Sequence, residues 1–246
     1  VFSTEPLKAS HPLLSAKNIL LTPHLGASTY EAKEGVSLAV CQNIIDLLKN
    51  GKLNNALNVP ISDMAILKEI QPYLDLSELM GYIQSQLIDE PVVKIEINCY
   101  GSINELKPIS IAFIKGILSK IVDDRINYIN ALSIADERGI ELVNTFNPQV
   151  DKYANLIDSY VYTKNKIINI GGGVFFGNEF RILKFMNHDI NFNPEGFMVL
   201  SRNKDIPGVV GRVGTVLGES GINIAEYILS RPYKKENPIS IIKVDS

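Results

Sequence analysis

A handful of side chains in this 246-residue sequence have the type and spacing to do chemistry. His24 comes first. It stands directly after Asn18–Pro23 (NILLTP), a short apolar run closed by proline that reads as a buried parallel strand. Ligands of open α/β sheets gather outside the carboxyl ends of such strands. An imidazole placed there can take up and return a proton near neutral pH. Gly26 and Ala27 follow it, and Gly26 alone reads as a turn glycine. Gly171-Gly172-Gly173 invites a phosphate-loop reading, but no Lys-Ser/Thr follows and no helix opens there, so backbone crowding or a bulge is expected. Cys41 and Cys99 lie far apart without metal-ligand spacing, and no metal site is expected. His188 reads as a turn or surface histidine.

The elements that must position these groups follow from periodicity. Ser28 and Glu31 form an S-x-x-E capping box, after which Ala32, Val36, Ala39, Val40, Ile44, Leu47 and Leu48 recur at helical spacing up to Gly51, a plausible stop. This predicts an amphipathic helix of about six turns whose partner surface lies outside the given sequence. Asn54–Pro60 marks a boundary. A helix over Met64–Leu87 is expected to anchor through Leu67, Ile70, Leu74 and Leu79. In Val92–Tyr100, Val93, Ile95, Ile97 and Cys99 alternate with polar residues as a half-buried strand. Helices are predicted over Pro108–Lys120 and Asp123–Arg138. Strands are predicted over Leu156–Thr163, Ile167–Phe175, Phe180–Met186, His188–Phe192, Gly196–Ser201, Ile222–Leu229 and Pro238–Val244. Asp205-Ile206-Pro207-Gly208 leads into a further helix, with Val209, Val210, Val213, Val216 and Leu217 on its apolar face. Asp205 can cap that helix, and Asn223 can cap the turn after it.

Composition excludes several classes. Hydrophobic residues make up 46% and charged residues 21%, an ordinary globular balance that argues against disorder. A net charge of −3 without a Lys/Arg track gives no reason to expect nucleic acid; Arg231, Lys234 and Lys235 read as a solvated hairpin tip. No apolar run approaches the roughly 18 residues of a membrane span, and no secretory signal is expected. The two cysteines suit a reducing compartment, and a cytoplasmic location is expected, with an organelle as the alternative.

The string HPLLSAKNILLTPHLGASTYEA, followed by NALNVP and preceded by VFSTEPL, resembles the end of the catalytic part of the D-2-hydroxyacid dehydrogenases, closest to the long-form D-3-phosphoglycerate dehydrogenases. NYINALSIADERGI is similar to a segment of the intervening domain of that branch. The resemblance implies that His24 is the acid/base of an NAD-dependent dehydrogenase, with Gly26 and Ala27 beside the nicotinamide. It also implies a Glu holding the imidazolium, an Arg gripping the substrate carboxylate and a G-x-G-x-x-G turn, all expected upstream of Val1.

KDIPGVVGRVGTVLGESGINIAEY resembles the ACT domain, an amino-acid-sensing unit. An amino acid offers both charges, so Asp205 fits its ammonium, the backbone from Gly208 to Gly211 its carboxylate, and Asn223 either. Asn203 departs from the Tyr that some relatives carry two residues before the aspartate. The expected architecture is mixed α/β and α+β. Residues 1–58 form the tail of a Rossmann-type dehydrogenase part, 59–193 an α+β intervening domain, and 194–246 a ferredoxin-like βαββαβ unit cut short after its third strand. The resemblance implies oxidation of 3-phosphoglycerate by the parent enzyme, serine as effector, and a homo-oligomer joined through the last two domains. The residues here are not expected to turn over substrate alone. Two other readings stand beside it: an amino-acid-binding module without catalysis, and a different D-2-hydroxyacid dehydrogenase.

Overall fold

The computed structural model describes residues 5–50, 52, 54–56, 61, 64–122, 125–149, 152–231 and 237–245. Its chain divides into two compact units, Val1–Ala56 with Ser62–Met64, and Leu57–Ile61 with Ala65–Ser246.

The first unit holds a single 3-10 turn over Pro12–Ser15 and the long helix α1, Tyr30–Asn50. The cap is Thr29 rather than the expected Ser28: Thr29 Oγ1 accepts from Ala32 N at 3.1 Å, while the Ser28 hydroxyl turns back to the His24 carbonyl. The expected stop at Gly51 lies outside the described residues. The run Asn18–Pro23 is not a strand, and Leu20 is 90% exposed. Among the described residues no neighbouring strand pairs with it, and an extended segment without a ladder partner leaves its backbone groups to water. α1 buries none of its residues.

The second unit is built on a six-stranded sheet in the order β2-β1-β3-β4-β5-β6. Its strands are β1 (Val92–Tyr100), β2 (Glu141–Asn147), β3 (Leu156–Thr163), β4 (Ile167–Phe175), β5 (Glu179–Phe185) and β6 (His188–Phe192). β1 and β2 are parallel and joined by α3 (Leu106–Leu118) and the short α4 (Ala131–Glu137); every other pairing is antiparallel. A parallel pair demands a crossover of this kind. β2 is a strand the hydrophobic pattern did not signal, because only Leu142, Val143 and Phe146 break its polar run.

Helix α2 (Met64–Ser85) and α3 cover one face of this sheet. Leu74, Leu76 and Met80 of α2 are fully buried against Ile95, Ile97 and Ile170, whereas the expected anchor Leu79 is only partly buried. The two helices meet at glycine. A Cβ on Gly81 would stand 2.3 Å from the Phe113 carbonyl oxygen, and one on Gly116 would stand 2.0 Å from that of Glu78. Gly172 in β4 has the same role toward the helices, 3.0 Å from Met80 Sδ, which accounts for the glycine triplet by crowding. A register shift also falls between Gly171 and Gly172.

Val93 faces outward, against expectation, because a register shift between Val92 and Lys94 puts Val92 inside instead. The helix expected over Asp123–Arg138 shrinks to Ala131–Glu137. Asn127 Oδ1 accepts from the backbone of Ile129 and Asn130, and Asn130 Oδ1 accepts from Asn127 N, a side-chain-to-backbone turn that competes with the helix.

The opposite sheet face is polar and internally paired. Buried Asp158 accepts from Lys184 (2.9 Å), Asn169 (2.7 Å) and Tyr160 (3.3 Å), and Glu96 accepts from Tyr162 (3.1 Å). Burial, then the Asp158 charge, pushes the Tyr160 phenol up to about 12.

The chain continues as β7 (Phe197–Arg202), α5 (Val209–Glu219), β8 (Ile224–Ser230) and β9 (Ile239–Val244), the expected β-α-β-β order. The three strands form an antiparallel sheet, β7-β9-β8. β9 is buried on both faces, and its Ile239 and Ile241 join the same hydrophobic core as Ile190, Phe185 and Phe192. Ser230 Oγ donates to the Asp189 carbonyl at 2.8 Å across that seam. Phe197 and Val199, on the alternate positions of β7, stay exposed.

Candidate functional site

His24 lies at the edge of a cleft of about 580 Å³ lined by Glu5, Leu7, Leu14, Leu21 and Thr22. A turn in which Ser28 N donates to the Leu25 carbonyl at 3.1 Å carries the chain from the histidine into α1. His24 Nδ1 is 3.0 Å from Glu5 Oε2, so the carboxylate fixes the ring orientation and leaves Nε2 available for another group. The expectation that any such glutamate lies upstream of Val1 is therefore corrected: a carboxylate partner is in the chain. In the sequence this Glu stands in VFSTEPL, 19 residues before His24. Gly26 and Ala27 occupy the turn beside the histidine, and a Cβ on Gly26 would meet nothing within 4 Å. That open backbone permits close approach of a flat ligand.

The second predicted cluster sits around α5. Gly208 precedes the helix at φ +88, a left-handed conformation suited to glycine, and no side chain caps the helix. Asp205 does not cap it either; it pairs with Arg231 at 3.1 Å, both largely exposed. Asn223 Nδ2 donates to Asp245 Oδ2 at 2.6 Å. Both polar groups thus hold partners that a ligand would have to displace. Lys234 and Lys235 of the expected basic tip lie outside the described residues.

His188 is corrected outright. It is 2% exposed, in β6 on the face of Ile190 and Phe192, and neither ring nitrogen has a hydrogen-bond partner. Its alternation with two apolar residues was the signal for burial. Among the described residues no group of three or more His, Cys, Asp or Glu side chains can hold a metal, and no helix is long and apolar enough to cross a membrane. Cys41 is exposed and Cys99 buried, both free.

Residues 69–186 match the D-3-phosphoglycerate dehydrogenase intervening domain family, and those residues hold the six-stranded sheet through β5. A D-3-phosphoglycerate dehydrogenase of Archaeoglobus fulgidus is 34% identical over 244 residues, 98% of this chain and 46% of its own length. The chain is thus similar to the C-terminal portion of D-3-phosphoglycerate dehydrogenases, over a stretch that includes their intervening domain. D-3-phosphoglycerate dehydrogenases of Methanocaldococcus jannaschii (34% identity) and Bacillus subtilis (31%) align with the whole chain and 47% of their own lengths. The chain thus spans about half the length of the D-3-phosphoglycerate dehydrogenases it matches.

Proposed function

We propose that this chain contributes the acid/base dyad and the effector-sensing end of an NAD-dependent enzyme that oxidises 3-phosphoglycerate to 3-phosphohydroxypyruvate. The observation that carries the reading is the His24–Glu5 pair at 3.0 Å on an open cleft, in a chain aligned end to end with D-3-phosphoglycerate dehydrogenases. Oxidation of a 2-hydroxy acid sends a hydride to nicotinamide while the hydroxyl proton leaves. His24 Nε2 accepts that proton, and Glu5 holds the imidazolium that results. NAD supplies the hydride acceptor when bound. Within these 246 residues there is no G-x-G-x-x-G turn to seat a pyrophosphate, so the chain's own share of a dinucleotide site is the loop carrying Gly26 and Ala27.

The β-α-β-β end is read as an ACT-type unit that binds serine. Asp205 takes the ammonium in exchange for Arg231, the backbone after Gly208 takes the carboxylate, and Asn223 bridges. Pairing of such units between subunits makes the enzyme a homo-oligomer. Two free cysteines fit a reducing, cytoplasmic setting.

The test is made on the full-length protein. NAD reduction with 3-phosphoglycerate is measured beside calorimetric serine binding. His24→Asn should lower kcat by about 10²–10⁴-fold and leave serine affinity unchanged. Glu5→Gln should lower kcat less, and Asp205→Ala should relieve serine inhibition. Undiminished turnover in the His24 variant, or equal loss of turnover and serine binding, would overturn the assignment.

A further inference from the structure

A second cleft, of about 620 Å³, opens at the carboxyl end of β1. β1 is where the six-stranded sheet changes character: β2 runs parallel on one side and β3 antiparallel on the other. The ends of strands are common places for ligands in α/β sheets, and this volume is in the range of small-molecule sites.

The wall of the cleft is built rather than incidental. Gly101 takes φ +89 and lets the loop after β1 press on the turn before β3, where a Cβ would stand 2.1 Å from the Ala154 carbonyl oxygen. Asn155 then ties three elements together. Its Oδ1 accepts from Ser102 N (2.8 Å) and Ser102 Oγ (3.0 Å), and its Nδ2 donates to the Tyr73 hydroxyl of α2 (2.9 Å). The Tyr73 oxygen keeps a lone pair for a further donor.

The lining has a definite polarity. Glu69 and Glu105 belong to it, and among the described residues no Lys, Arg or His does. Neither carboxylate has a side-chain hydrogen bond or ion pair among the described residues; Glu105 precedes α3 without capping it. Ile70, Val174 and the half-exposed Phe175 ring supply the apolar side. Acceptors without a fixed cation repel phosphorylated or carboxylic acids and favour a donor of positive charge, which an aromatic face also attracts.

We propose that this cleft binds a small molecule carrying a protonated amine on a short apolar stem. The site lies wholly within the second unit, and the proposal does not depend on the enzymatic reading. The test is an amide-resonance titration of the 246-residue chain with n-propylammonium, glycerol and glycerol 3-phosphate as probes. Propylammonium should give saturable shifts at Ser102, Asn104 and Asn155. The isosteric changes Glu69→Gln and Glu105→Gln should each weaken it by about tenfold with the remaining spectrum unchanged. No saturable shift at millimolar propylammonium, an affinity untouched by both variants, or glycerol or glycerol 3-phosphate binding there more tightly than the amine would each overturn the proposal.

Discussion

The two units of the chain treat similar apolar helices in opposite ways. α1 carries Val36, Val40, Ile44 and Leu48 at helical spacing and buries none of them, whereas α3 buries ten of its thirteen residues between α2, α4 and the sheet. Periodicity alone does not distinguish the two helices. What separates them is whether a complementary surface exists to receive the apolar stripe, since most helical stability in proteins comes from packing rather than propensity. The first unit therefore displays a dyad on a thin support, and the second is a closed core that holds its own shape.

Truncation at the two helices should expose that contrast most sharply. Phe113→Ala in α3 removes a fully buried ring and should cost about 3–5 kcal/mol in urea unfolding. Leu48→Ala, at a position 79% exposed, should change stability by no more than about 0.5 kcal/mol. A large effect at Leu48 would show that α1 has a partner in solution.

The next effect concerns closeness rather than burial. Gly116→Ala forces a Cβ to 2.0 Å from the Glu78 carbonyl oxygen, so α2 and α3 must part, at about 1–3 kcal/mol. Gly35→Ala in α1, where an added Cβ meets nothing within 4 Å, should instead stabilise slightly by helix propensity. The same denaturation curves compare both.

Smaller still is the alkaline response. Burial pushes the Cys99 thiol and, with Glu78 and Asp75 nearby, the Tyr128 phenol up to about 12; Tyr160 behaves alike beside Asp158. The unfolded chain releases these protons first, so it binds fewer protons than the folded one between the ordinary values and about 12. Stability should be full below the unfolded values and fall as pH rises through that window. Thermal melts at increasing alkaline pH read the decline, and a Tm that rises instead would contradict it. At mildly alkaline pH, iodoacetamide should label Cys41 in the open helix and leave Cys99 unmodified in the native chain, as mass spectrometry would show.

The sequence was most legible where one period ran unbroken. β1, α1 and the β-α-β-β end sit within a few residues of their expected bounds because alternation, spacing and Gly208 all agree there. It was least legible where a non-local partner decides. Asn18–Pro23 has a strand's composition but no described strand to pair with, and β2 has weak composition yet is held by its parallel register with β1. Asn127 and Asn130 carried a turn inside the segment Asp123–Arg138 that was expected to be helical. At the candidate dyad the histidine was readable from its loop. Glu5 was not assigned to it, because a pair 19 residues apart in sequence becomes a pair only through the fold.

Strand β9 has a consequence for how the chain melts. Its isoleucines stop water entering two sheets at once, so neither sheet can come apart while the other keeps its interior dry. In a scanning calorimeter the second unit should thus give one endotherm, with the small sheet contributing no separate shoulder. Any ligand that grips the small sheet should raise the melting of the large one by the same number of degrees.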